Sequence, residues 1–92
     1  MIFEWDSEKE LRNIAKHKID FSTAALVFGD EYRIEILDVE HSFSELRYIT
    51  IGRIKDTVIV LLVVYTERGE NIRIISARKA NKREEGEYYA GY

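Results

Sequence analysis

The chain contains no cysteine and no proline. Without cysteine there is no disulfide framework and no thiolate metal site, which fits a reducing cytoplasm. Without proline, and without a Gly/Ser-rich stretch, nothing marks a linker, an internal repeat or a low-complexity segment. Over 92 residues this predicts one domain covering 1–92. Long apolar runs are also missing. The longest, at 58–65, has eight residues, far short of the roughly 20 that span a bilayer. The start, MIFEWD, lacks the basic and apolar regions of a signal peptide. These absences predict a cytoplasmic protein that does not engage a membrane. What remains is 34% charged and 46% hydrophobic, a balance that argues for a globular chain rather than a disordered one. A domain of this size buries only roughly 60–65% of its unfolded surface. A partner that covers apolar area would stabilise it.

The net charge of −3 argues against a generic nucleic-acid binder. Its distribution argues differently. Residues 68–83 carry Arg68, Arg73, Arg78, Lys79, Lys82 and Arg83 against Glu70, a local excess of +5 that leaves −8 for the rest. Such polarity suggests a basic face for a polyanion and an acidic face elsewhere. The alternative is a strand and a helix with ordinary solvated charges.

Periodicity predicts the elements. Residues 2–5 read as a short extended segment, and Ser7-Glu8-Lys9-Glu10 has the form of a capping box opening a helix that ends near Lys16-His17. Asp20 or Ser22 caps a second helix over 23–28, stopped by Gly29-Asp30. Alternation then predicts strands at 32–37, 46–54, 57–66 and 70–77, with turns at Lys55-Asp56 and at 67–69. Short connections imply an antiparallel meander. A third helix is predicted over 79–89. The predicted fold class is α+β: two N-terminal helices, a four-stranded mainly antiparallel sheet and a C-terminal helix, with room for a short extra N-terminal strand.

A series of motifs carries a family resemblance. FEWD at 3–6, Asn13, Lys16-His17, Phe21, Val27-Phe28 with Asp30, Gly52-Arg53, YTERG at 65–69, IRIISARKA at 72–80, then Glu84 and Tyr88, stand in order over nearly the whole chain. In this the sequence resembles the BrnT family of toxins. The resemblance implies a RelE-like fold, metal-independent cleavage of RNA and no cofactor. It also implies a cognate BrnA-like ribbon-helix-helix antitoxin. Operator DNA would then be bound only through the antitoxin, and a homodimer could sit inside a toxin–antitoxin heterotetramer. One departure is Lys18 after the His, where the family usually has Gly. Gly there would suit a left-handed helix cap.

Metal-free RNA cleavage needs cations aimed at one phosphate and one or two proton carriers. Arg73 and Arg78 are the first candidates. Arg73 lies within an apolar strand, where it can also snorkel or pair with a carboxylate. Arg78 lies at the strand end, with a planar fork that matches phosphate. Arg68 is a substrate contact or a solvated turn residue. Arg53, Lys79, Lys82 and Arg83 are further RNA-binding candidates. For proton transfer the candidates are His17, Glu67 and Tyr88, with Glu84 one turn before Tyr88. His17 can equally be a helix cap, Glu67 an ion-pair partner of Arg68, and Tyr88 packing. The two histidines and scattered acids have no metal-ligand spacing, so no metal is predicted.

Overall fold

The computed structural model describes residues 1–91. Strand β1 (Ile2–Trp5) leads into α1 (Ser7–His17) and α2 (Phe21–Ala25), which continues as a 3₁₀ turn over Leu26–Gly29. Strands β2 (Ile34–Leu37), β3 (Arg47–Arg53), β4 (Val60–Arg68) and β5 (Asn71–Lys79) follow, then α3 (Lys82–Ala90). The sheet order is β1-β5-β4-β3-β2. The α+β class holds, and the extra N-terminal strand is present at residues 2–5, but the four-stranded sheet is corrected: it has five strands and is mixed, because β1 lies parallel to β5. The second helix is also shorter than expected, giving way to the 3₁₀ turn after five residues.

Local chemistry explains the boundaries. Asp6, not Ser7, caps α1, accepting from the Glu8 N–H at 2.9 Å. Glu10 does not reach back to close a capping box; its carboxylate accepts the Phe21 N–H and ties α1 to α2. Asp20 caps α2 through Thr23 N–H at 2.7 Å, as expected. Lys18 takes the left-handed cap position itself, at φ 63°, with its N–H donating to the Ile14 carbonyl. The true capping box is at α3, where Asn81 and Glu84 satisfy each other's backbone N–H groups. Gly69, at φ +62°, makes the β4–β5 turn. Gly52 lets the 3₁₀ turn approach β3: an added Cβ would sit 3.0 Å from Arg33 Cβ and 3.2 Å from Val27 Cβ.

The two sheet faces are covered unequally. On one, α2 and its approach bury Ile19, Phe21, Ala24 and Val27 against Leu61, Val63, Tyr65, Ile72, Ile74 and Ala77. Full burial of each large apolar side chain there contributes about 1.5–3 kcal/mol. The other face carries a smaller cluster of Ile51, Val60, Leu62 and Tyr88, with α3 contributing only Tyr88 to its buried core. The rest of that face stays open, with Ile36 46% exposed.

Helix α1 does not cover a face. It lies along β5, past the point where β1 stops pairing. Buried Asn13 takes the place of a strand there. Its amide donates to the carbonyls of Ala77 (2.8 Å) and Ile19 (2.9 Å), and its oxygen accepts the Ala77 N–H at 3.0 Å. No helix among the described residues is long and apolar enough to cross a membrane.

Candidate functional site

Arg73 and Arg78 are five positions apart and would face opposite sides of a regular strand. A β-bulge corrects this. Val64 pairs with Ser76 and Tyr65 pairs with Ile74, so Ile75 is the extra residue in β5. Directly opposed residues share a face. Arg73 opposes Thr66, Ser76 opposes Val64 and Arg78 opposes Leu62, and these three β4 residues alternate onto the open face. The bulge therefore brings Arg73, Ser76 and Arg78 to one side.

A polar row crosses the sheet at Arg73. Its neighbours are Glu4 on β1, Thr66 on β4 and, beyond that, Arg47 on β3. The Arg73 Nη1 lies 2.7 Å from Glu4 Oε2, and Asn71 donates to the other Glu4 oxygen. These donors, Asn71 first and then Arg73, hold the Glu4 carboxyl below its ordinary value. Buried Thr66 donates to the Leu46 carbonyl. At the far end, Arg78 grips Glu84 with two bonds of 2.8 Å each, the bidentate geometry of a guanidinium–carboxylate pair. Arg78 lowers the Glu84 carboxyl, although burial opposes it.

The other expected site residues scatter. Arg68 pairs with Glu45 at 3.1 Å at the exposed end of β4, and Arg83 pairs with Glu87 along α3 at 3.4 Å. Lys79 and Lys82 are exposed. Arg53 lies at the opposite end of β3, with its N–H donating to Asp30 and its guanidinium to the Thr57 carbonyl. Glu67 opposes Ile72, a residue of the helix-covered core, so it lies on the side away from Arg73. Tyr88 is fully buried and donates its phenolic hydrogen to Asp30. In this position it seats α3 on the sheet. Burial raises the Asp30 carboxyl, but hydrogen bonds from Tyr88 and from the Arg53 and Tyr32 N–H groups overcome this and leave it lowered.

His17 falls in a different setting from the one expected of a simple cap. It lines a groove of about 340 Å³ between α1 and β5, with Lys9, Arg12, Asn13, Lys16, Ile75 and Ser76. Ser76 is the link, being part of this groove and of the face that carries Arg73 and Arg78. Sequence reasoning passed over Glu4, Arg47, Lys9, Arg12 and Lys16 as site residues. Arg47 was visible in the alternation of β3. The α1 cations were visible only face by face, because Glu8 and Glu10 offset two of the three in any linear count.

Among the described residues, no three His, Cys, Asp or Glu side chains gather to hold a metal. What the open face and the adjoining groove offer is a row of arginines paired with carboxylates, Ser76, and one imidazole in the groove, residue types suited to a phosphate group. Fold and surface together define a small α+β domain with one sheet face covered by α2 and a more open face that carries paired arginines. The family model for the ribonuclease toxin BrnT of type II toxin–antitoxin systems matches residues 5–84, and the chain belongs to that family. The family implies an antitoxin partner. No curated protein matches the chain. Among solved structures, the fold is similar to the crystal structure of the Brucella abortus ribonuclease toxin BrnT. The TM-score is 0.67 at 24% identity, over 89% of this chain and 100% of that one.

Proposed function

We propose that this chain is the toxin of a type II toxin–antitoxin pair and acts as a metal-independent endoribonuclease. The observation that carries this reading is the Ile75 bulge, which sets Arg73, Ser76 and Arg78 on one face beside the groove that holds His17. A base removes the proton of a ribose 2′-OH, and the oxygen attacks the adjacent phosphorus. The 5′ oxygen leaves with a proton, giving a 2′,3′-cyclic phosphate and a 5′-hydroxyl. Charge gathers on the phosphoryl oxygens in between, and Arg73 and Arg78 stabilise it once phosphate displaces Glu4 and Glu84. His17 carries the proton. Arg47, Arg68, Lys82 and Arg83 contact neighbouring phosphates, while Lys79, which opposes Leu61 of the covered core, lies on the other side of β5.

The test is incubation of the folded protein with RNA in EDTA. Fragments ending in cyclic phosphate are expected, with none from DNA of the same sequence. Intact RNA beside a folded sample contradicts the reading. An Arg78→Ala variant that cleaves like the parent removes Arg78 from the mechanism.

The same reading has a BrnA-like ribbon-helix-helix antitoxin neutralising the toxin in the cytoplasm. The pair would repress its own operon, with operator DNA contacted through the antitoxin and a toxin homodimer accommodated in a heterotetramer. Val39, Phe43 and Leu46, at 75%, 88% and 55% exposure, supply apolar surface for such a partner. Expression of the chain should arrest bacterial growth and antitoxin co-expression should relieve it.

A second reading has one observation in its favour: both central arginines are closed by carboxylates. It is a non-catalytic module that docks an antitoxin or RNA without cleavage. Unimpaired growth, together with antitoxin binding, would favour it.

A further inference from the structure

Helix α1 carries Lys9, Arg12 and Lys16 at spacings of three and four residues, which places them on one side of the helix. They cover about 10 Å of helix axis. All three line the groove against β5, and no carboxylate lines it with them. The acids of the same helix are used elsewhere: Glu10 holds the Phe21 N–H, and Glu8 belongs to the capped first turn. Among the described residues, Lys9, Arg12, Lys16 and His17 make no side-chain ion pair or hydrogen bond. Three unpaired cations around a concave surface hold their charge at a cost in mutual repulsion, which an anion would relieve.

The groove floor narrows the class of anion. Besides the three cations it is lined by Ser76, Asn13, Ile75 and His17, with no Phe, Tyr or Trp to form a stacking platform for successive bases. That lining reads a sugar–phosphate backbone and not base identity. Its direction is set by Ser76, which stands on β5 between Arg73 and Arg78. A strand lying in the groove is therefore delivered to the two arginines.

We propose that the α1–β5 groove is a guide track for the phosphate backbone of single-stranded RNA, held by Lys9, Arg12 and Lys16. This rests on the nuclease reading for its biological use, but not for its test. Asn13 is the device that keeps the track in place, since it pins α1 to the unpaired edge of β5.

The experiment uses a 2′-O-methyl oligoribonucleotide, which can bind but has no 2′-OH to attack. Its affinity is measured by fluorescence anisotropy across a salt series, for the parent, for Lys9→Gln/Lys16→Gln and for the charge-matched Lys18→Gln/Lys55→Gln. Thermal melts by circular dichroism confirm that all three are folded. For single strands each lost phosphate contact lowers the salt slope by about 0.7, so the groove variant should lose about 1.4 in slope and the matched variant close to none. Equal slopes for the two variants overturn the proposal, as does a parent that does not bind. Polyglutamate competing better than RNA of equal charge would assign the groove to an acidic protein segment and also overturn it. A parent that binds with a groove-dependent slope but leaves ordinary RNA intact keeps the track and removes the nuclease. A parent that cleaves RNA while both variants keep its slope does the reverse.

Discussion

The molecule has two cationic regions, and they differ in what their charges touch. The segment 68–83 is the more basic in sequence, yet its arginines are neutralised one by one. Arg68 pairs with Glu45, Arg73 with Glu4, Arg78 with Glu84 and Arg83 with Glu87. Every one of those glutamates lies outside the segment. Helix α1 is nearly balanced in sequence, and its cations stand without partners around a groove. Charge read along a chain counts neighbours in sequence, whereas a phosphate meets neighbours in space. The comparison also separates two tasks. Paired arginines on β5 are held in fixed orientation by their carboxylates, as suits the reacting phosphate. Unpaired lysines on a helix are adjustable point charges, as suits a passing backbone.

The largest expected effect comes from the paired region. Removing a preorganised donor from a charge-building transition state costs about 10²–10³ in rate. Arg73→Ala or Arg78→Ala should therefore lower single-turnover RNA cleavage by about that factor. A loss below tenfold for both would dissolve the distinction between the two regions.

Next in size is the residue that holds the regions together. Asn13→Ala leaves the Ala77 N–H and two carbonyls without their partner. Unsatisfied buried groups cost about 1–3 kcal/mol each, so a loss of at least about 3 kcal/mol is expected in urea unfolding. The groove should also lose its salt-dependent RNA binding in proportion.

A smaller effect sharpens the account of the arginine pairs. Glu84→Gln removes the charge that occupies Arg78 and weakens the capping box of α3. Binding of the non-cleavable RNA should tighten severalfold while stability falls by about 1 kcal/mol. Weaker RNA binding in a folded variant would mean that Glu84 orients Arg78 rather than shielding it.

The smallest is a pH effect. Glu4, Asp30, Glu35 and Glu84 all have carboxyls lowered in the folded chain. Groups lowered on folding bind more protons when unfolded, so their stabilisation is present above the ordinary carboxylate range of about 4 and fades as pH falls through it. The urea midpoint should drop between pH 6 and pH 3. Tyr88→Phe removes one donor from Asp30 and should flatten part of that drop. A midpoint that rises on acidification would contradict the pairing.

The local parts of this fold were legible in the sequence. Asp20 as a cap, the turn at Lys55-Asp56, Gly69 between β4 and β5, and the alternation of β3 all follow from chemistry within a few residues. The parts that set the site were not. The pairing of β1 with β5 joins Glu4 to Arg73, 69 positions apart, with no turn to announce it. The bulge at Ile75 depends on the partner strand. Without it, Ile72, Ile74 and Ile75 read as one imperfect alternation, and the common face of Arg73 and Arg78 stays hidden. For Tyr88 the helix position left packing and substrate contact open, because it showed one face but not what covered it; the structure buries the side chain. Asn13 entered the sequence reading only as a motif residue, since its structural role depends on bonds to Ala77, 64 positions away, as well as to Ile19.

The division of labour between the two regions can be measured directly by steady-state cleavage of one RNA substrate. Lys9→Gln/Lys16→Gln should raise KM and leave kcat near the parent value, because a track binds ground state and transition state alike. Arg73→Ala should lower kcat with little change in KM. The opposite assignment, with kcat lost on α1 and KM lost on β5, would contradict the account.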